Sequence, residues 1–291
     1  MAVWSGWRGG AGLLLAAAIS VPAVAQETTP VQTETPAQPN YGAPDAPLTS
    51  PDASSTWIIT VKATGNVSPD FLGAKTYTPI GYPLFSFRKA DTPEGFSAAD
   101  DGIDFSLYGN EYFNLGPVAR YRSGRYNGSD KKLRGLKSIP WTVEVGGYVE
   151  VWPTEWLRGR VEVRHGLNGA SGIISDFAVD AVYKQDKWTI AAGPRLTLAT
   201  QDFMQMYFGV TPREAARSTC VGRYKPSGGI VSAGVLAGAG YQWDENWTVS
   251  LYGQYDRLVD QAANSPIVKN IGSANQFGVG ATIGYSFPVK Y

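Results

Sequence analysis

Ten charged side chains stand at spacings that would gather them on one surface. Glu144 and Glu150 lie on a stretch of alternating apolar and polar residues, Trp141 to Val151. Arg158, Arg160, Glu162 and Arg164 lie on the next stretch, across a tight turn at Pro153-Thr154-Glu155. Side chains of a strand alternate between its faces, so these six share one face of a hairpin. Arg120, Arg122, Asp180 and Arg195 fall on the matching polar faces of neighbouring stretches. Two kinds of chemistry suit such a set. A ladder of charges along a polar pore selects small solutes. Alternatively, opposite charges on adjacent strands pair and fill an interior, each pair adding modest stability.

Other chemistry has few candidates. His165 is the only histidine and Cys220 the only cysteine, so no intrachain disulfide and no cysteine or histidine metal cluster can form. His165 sits where its strand runs into Gly166, a rim position, and no G-x-S-x-G motif offers it a nucleophile. The expectation is a protein without catalytic, cofactor-binding or metal-ligating residues. A longer stretch, residues 199–229, carries Asp202, Arg213, Glu214, Arg217, Arg223 and Lys225 beside Phe203, Met204, Tyr207 and Phe208. It could fold inward as a constriction, stand outside as a binding surface, or form an ordered cap without a ligand.

The elements that must position these charges are strands. The last sixteen residues, QFGVGATIGYSFPVKY from Gln276 to Tyr291, put Phe277, Val279, Ala281, Ile283, Tyr285, Phe287, Val289 and Tyr291 on one face. The other face holds Gly278, Gly280, Thr282, Gly284, Ser286, Pro288 and Lys290. A strand that is greasy on one side and small or polar on the other, ending on aromatics, suits a membrane barrel. Tyr285, Phe287 and Tyr291 are the expected terminal signal for barrel-assembly machinery, and this strand is expected to close the barrel against the Trp57 strand.

Composition agrees with a barrel. The 291 residues hold 25 Lys+Arg and 25 Asp+Glu, which gives no nucleic-acid footprint. Charged residues make up 17%, below the roughly 25% of soluble domains, while Gly (34), Tyr (16) and Trp (9) are abundant. Mean hydropathy is −0.17, and beyond the leader no apolar run reaches 18 residues. Alternation hides hydrophobicity from such averages.

Residues 1–25 read as a signal peptide, with Arg8, an apolar core from Leu13 to Val21, and Ala23-Val24-Ala25 before the cut. Residues 26–55 are rich in proline, free of Lys and Arg, and expected to be an extended periplasmic tail. From 56 to 291 the chain reads as an antiparallel up-and-down β-barrel. Ten segments alternate clearly or fairly, and two weak ones, Pro79–Arg88 and Phe96–Ala99, raise the count to about 12, with 10 as the alternative. Asp100-Asp101-Gly102 reads as a hairpin turn. Short connections at 153–155, 185–187 and 244–246 alternate with long ones at 124–140, 166–172, 199–229 and 259–274, the asymmetry of periplasmic turns and outer loops. Aromatics on the apolar faces gather near both ends of the strands, as rings at two membrane interfaces would.

Four stretches carry a resemblance: GPVARYRSGR (116–125), LRGLKSI (133–139), MYFGVTPREAARS (206–218) and RLVDQAANSPIVKNIGSANQFGVGATIGYSF (257–287). In this order they resemble the MltA-interacting protein (MipA/OmpV) family of Gram-negative outer-membrane proteins. The proline-rich tail is a departure from that pattern. The resemblance implies an outer-membrane barrel. It also implies a scaffold between a lytic murein transglycosylase and a peptidoglycan synthase for the naming member, and adhesion or antibiotic uptake for others. It brings no catalytic motif.

Overall fold

A computed structural model describes residues 56–290 apart from 92–93, 129 and 168–170. The expected signal peptide, the proline-rich tail and Tyr291 lie outside the described residues. The chain forms one antiparallel sheet curled into a barrel. Its strands are β1 (Thr56–Pro69), β2 (Tyr77–Lys89), β3 (Ile103–Asp104), β4 (Tyr108–Gly109), β5 (Phe113–Arg122) and β6 (Thr142–Thr154). They continue as β7 (Leu157–Gly166), β8 (Ile173–Gln185), β9 (Trp188–Ala199), β10 (Gly229–Gln242), β11 (Trp247–Leu258) and β12 (Asn275–Lys290). Four short helices sit in the long connections: α1 (Gln201–Phe208), α2 (Pro212–Arg217), α3 (Asp260–Asn264) and α4 (Pro266–Asn270). No helix among the described residues is long and apolar enough to cross a membrane.

Alternation in sequence becomes two chemically different surfaces. Val61, Val149, Val179, Leu251, Val279 and Ile283 point outward and stay exposed, a band that only lipid would cover favourably. Aromatic rings bracket this band. Near the short turns, Trp188 packs at a tilt against Tyr241 with centroids 4.7 Å apart, and Trp247 against Tyr285 at 4.8 Å. Near the long loops, Tyr255 meets Phe277 at 5.0 Å and Tyr121 meets Trp141 at 6.1 Å. Such pairs each contribute about 0.5–1.5 kcal/mol beyond area burial.

The first and last strands pair as expected. β1 and β12 run antiparallel from Thr56↔Lys290 to Val67↔Val279. Hydroxyls on their inner faces join across the ladder, Thr60 with Ser286 at 2.8 Å and Thr64 with Thr282 at 3.0 Å.

Twelve strands form the sheet, as expected, but one weak segment is placed differently. Pro79–Arg88 falls within β2, but Phe96–Ala99 is not a strand, and Asp100-Asp101-Gly102 is not a hairpin turn. Residues 94–102 run through the lumen, and β3 and β4 are two halves of one broken strand, both paired to β5. The cause of the break is local. Phe105 donates to the Pro117 carbonyl at 3.2 Å, but Pro117 has no N–H to return. Ten antiparallel pairings separate β2 from β3 along the sheet, so the two edges descend in the same direction. They meet as a parallel seam, and among the described residues no backbone hydrogen bond crosses it. Phe87 and Phe105 touch there, centroids 6.5 Å apart.

The β2 sequence fits an edge. Ala90 donates to the Thr56 carbonyl at 2.9 Å, so even-numbered β2 residues bond to β1 and odd-numbered ones turn their backbone groups to the seam. Pro79 and Pro83 are odd-numbered, and proline is tolerated where no ladder donor is required. Removing Phe287–Tyr291 would delete the pairs Ile59↔Phe287, Ile58↔Pro288 and Trp57↔Val289 from the β1–β12 closure. The expected outcome is loss of heat-modifiable protein from the outer-membrane fraction; normal amounts would count against this closure as an assembly requirement.

Candidate functional site

The lumen is divided into a densely charged half and a sparsely charged half, the latter holding Lys62 and Asp256 among small and hydroxyl side chains. On β10, β11, β12 and β1 the inner face carries Gly234, Gly238, Ser250, Gly280, Thr282 and Lys62, all partly exposed. The inner faces of β5 to β9 carry the charges. Six arginines there meet eight carboxylates in one continuous network. The structure places all ten residues singled out from sequence on this inner surface and in this network.

Its centre is Arg158, which is fully buried. Its Nε donates to Glu150 Oε2 at 2.8 Å, Nη1 to Asp180 Oδ2 at 2.9 Å, and Nη2 to Asp101 Oδ2 at 2.6 Å. Arg160 binds Glu150 at 3.2 Å and Glu162 at 3.0 Å, and lies over the Tyr148 ring at 4.1 Å. Arg164 reaches Glu144 at 3.3 Å and also contacts Glu162 and Asp176. Arg120 bridges Glu162 at 3.0 Å and Asp176 at 3.2 Å. Arg122 forks onto Glu144. Guanidinium suits this role because its planar donors address several carboxylates at once.

Three of the eight carboxylates belong to the segment that leaves β2 and crosses the lumen. Asp100 receives Arg195 Nε at 2.7 Å and Nη2 at 3.1 Å, and its carbonyl receives Arg120. Asp101 receives Arg158, and Asp104 at the start of the broken strand pairs with Arg160. The Gly102 N–H donates to Glu162 Oε1 at 3.1 Å. Phe96 packs on Trp152 with centroids 6.2 Å apart and lies 5.3 Å from the Arg158 guanidinium. Residues 94–104 are thus a strap, threaded up the charged half and latched to four arginines. Arg195 Nη2 also stands 2.8 Å from Asp180 Oδ1.

Sequence reasoning missed Asp100, Asp101, Asp104 and Asp176. A signal was present in the charge count. The predicted inward set has six arginines against four carboxylates, Glu144, Glu150, Glu162 and Asp180, leaving a surplus of 6 − 4 = 2 cations. Enclosed cations need partners, so further carboxylates were required: Asp176 from the polar face that also carries Asp180, and others from outside the wall strands.

The long connections build a roof over the outer end. Phe203, Met204, Tyr207 and Phe208 of α1 are buried against Ile139, Ile174, Leu258, Ala262 and Val268. A second cluster joins Phe71, Leu133, Leu136, Val210, Val221, Ile267 and Ile271. Of the three readings of residues 199–229, the structure shows an ordered cap; the inward segment comes from 94–104 instead. Thr211 and Glu214 form a capping box at the start of α2. Burial opposes ionisation of Glu214, yet hydrogen bonds from the Thr211 hydroxyl and the Lys137 and Thr211 N–H groups hold its pKa below the usual carboxylate range. Arg125 is buried beneath the cap and donates to the Tyr207 carbonyl at 2.7 Å; burial pushes its pKa down to about 10. Arg122 couples roof to lumen, its guanidinium 5.4 Å from the Phe203 ring.

The remaining sites are peripheral. His165 lies at the rim, exposed, with Nδ1 2.7 Å from the Gly172 carbonyl. Cys220 is half-buried on the second cap cluster. Tyr285 and Phe287 face outward on β12, with rings 6.1 Å apart.

A family model described as MltA-interacting protein MipA matches residues 61–287, nearly all of the barrel. The chain belongs to this family. Omp26La of Vibrio anguillarum, named an outer membrane protein, is 25% identical over 234 residues, covering 79% of this chain and 86% of its own. OmpV of Vibrio cholerae, also named an outer membrane protein, is 25% identical over 197 residues, covering 67% and 74%. Among solved structures the NanC porin aligns with 79% of this chain and 98% of its own at 9% identity and a TM-score of 0.37. The protein is an outer-membrane β-barrel of the MipA family.

Two substitutions probe the lumen. Arg158→Met leaves Glu150, Asp180 and Asp101 short of a shared cation, and removing one partner of a buried ion cluster costs about 3–5 kcal/mol. The barrel is expected to lose its SDS-resistant form at a lower temperature. Asp100→Asn with Asp101→Asn is expected to free the strap and admit protease cleavage within 94–102. An uncut strap in that variant would mean the latch is dispensable.

Proposed function

We propose that this family member is a non-enzymatic scaffold in cell-envelope and peptidoglycan maintenance, folded into the outer membrane by the barrel-assembly machinery. The observation that carries the reading is the filled lumen. The charged half is occupied by its own strap and the outer end is roofed by apolar clusters, so the fold invests its interior in rigidity. A rigid barrel whose first strand starts and whose last strand finishes on the side of the short turns suits an anchor for periplasmic proteins. The family description names MltA, a murein transglycosylase, as the partner of the naming member. A lytic murein transglycosylase and, through it, a peptidoglycan synthase are the partners proposed for this chain. Affinity purification of the full chain from detergent-solubilised outer membranes is expected to retain a lytic transglycosylase, and recovery of no murein enzyme would overturn the scaffold reading.

A second reading rests on the sparsely charged half of the lumen. Gly234, Gly238, Ser250, Gly280 and Thr282 remain partly exposed there, and a narrow path for small solutes along β10–β12 and β1 is compatible with that lining. In planar bilayers the wild-type protein is expected to be silent under the scaffold reading, whereas discrete conductance steps would favour the channel.

A further inference from the structure

The chain as a whole carries no net charge, yet its outer cap is strongly lopsided. Lys75, Lys131, Lys137, Arg213, Arg217 and Lys269 are all exposed on it. Among the described residues none of the six stands within ion-pairing distance of a carboxylate; the ion pairs fall to the lumen. Cap carboxylates near them are committed elsewhere. Asp70 accepts from the Thr78 hydroxyl, Asp130 caps the Lys132 N–H at 2.8 Å, and Glu214 accepts from the Lys137 N–H at 2.8 Å.

One apolar cluster gathers these cations. Lys75 follows Ala74, Lys131 and Lys137 bracket Leu133 and Leu136, Arg213 and Arg217 bracket Ala215, and Lys269 lies two residues past Ile267. The loops that carry them are sewn together. Gly135 has φ +92° and comes so close to the Arg217 carbonyl that an added Cβ would sit 2.7 Å from it. Asn270 donates to the Cys220 carbonyl at 2.8 Å. Between Lys75 and Lys131 lies a cleft of about 260 Å³, lined also by Thr76, Asp70, Asp130 and Phe71.

Massed like charges repel one another, and such a surface is stabilised by a ligand that brings counter-charge. The cap stands beyond the aromatic girdle at the long-loop end, the height at which outer-leaflet headgroups lie. Exposed charges act over only about 8 Å at physiological ionic strength, which favours a ligand held beside them. We propose that the cap docks the phosphate groups of outer-leaflet lipopolysaccharide on these exposed cations. Lysine ammonium groups address phosphate as point charges, and the apolar cluster beneath holds them in register.

The test uses the full-length protein in nanodiscs. Purified lipopolysaccharide is expected to bind, and the combined variant Lys75→Gln, Lys131→Gln, Lys137→Gln, Arg213→Gln and Arg217→Gln is expected to bind at least about tenfold more weakly. Raised salt is expected to weaken wild-type binding in the same direction. A charge-retaining set with Lys75→Arg, Lys131→Arg and Lys137→Arg keeps binding if charge is what matters, and heat-modifiability reports that each variant is folded. Dephosphorylated lipopolysaccharide is expected to bind as weakly as the glutamine variant. Equal binding of the dephosphorylated glycolipid, undiminished binding by the folded glutamine variant, or tight binding of dextran sulfate without binding of lipopolysaccharide would each overturn the proposal.

Discussion

The rest of the structure depends on the requirement that guanidinium groups enclosed in a barrel find carboxylates. Five wall carboxylates, Glu144, Glu150, Glu162, Asp176 and Asp180, serve six arginines, one too few. Asp100, Asp101 and Asp104 supply the remainder, and they do so only because the segment after β2 turns up into the lumen. Desolvating so many ions is costly, and mutual pairing with further hydrogen bonds is what offsets it. The network therefore gives the interior one arrangement in preference to any other.

That arrangement also explains how the barrel closes. A segment that climbs the lumen re-enters the wall in the same direction as the strand before it, so β2 and the broken β3–β4 strand lie parallel. Antiparallel ladders hold the other junctions, while the seam relies on the Phe87–Phe105 contact and the latched strap behind it. Lipid offers no partners to backbone groups. Prolines at 79, 83 and 117 reduce the donors in and beside this weak join, and the strap ties both edges to β7 and β9 through ion pairs.

The cap solves a different problem. Long outer connections would otherwise leave helix ends and loop backbones without partners, and four short helices with two apolar clusters give them a shared core. Arg122, pinned to Glu144 below and lying beneath Phe203 above, makes roof and lumen one packed body. Placing the cations of the cap on its exposed rim and its carboxylates in hydrogen bonds is the same economy of charge seen inside, turned outward.

Alternation alone determined much of this protein. The side chains of Gln276–Tyr291, Trp141–Val151 and Arg158–Arg164 have a period of two, and a period of two leaves no choice about which groups face lipid and which face inward. The barrel class, the direction of the short and long connections, the β1–β12 pairing and the ten inward charges all follow from that local rule. What only the tertiary structure decided is where non-periodic residues go. Asp100-Asp101-Gly102 has the composition of a hairpin turn, and its local preferences are satisfied by one. It becomes a latch because Arg158 and Arg195, far away in sequence, are short of carboxylates, and long-range charge balance outweighs a turn propensity of small magnitude. The same holds for residues 199–229, whose role as a roof depends on apolar partners from three other loops.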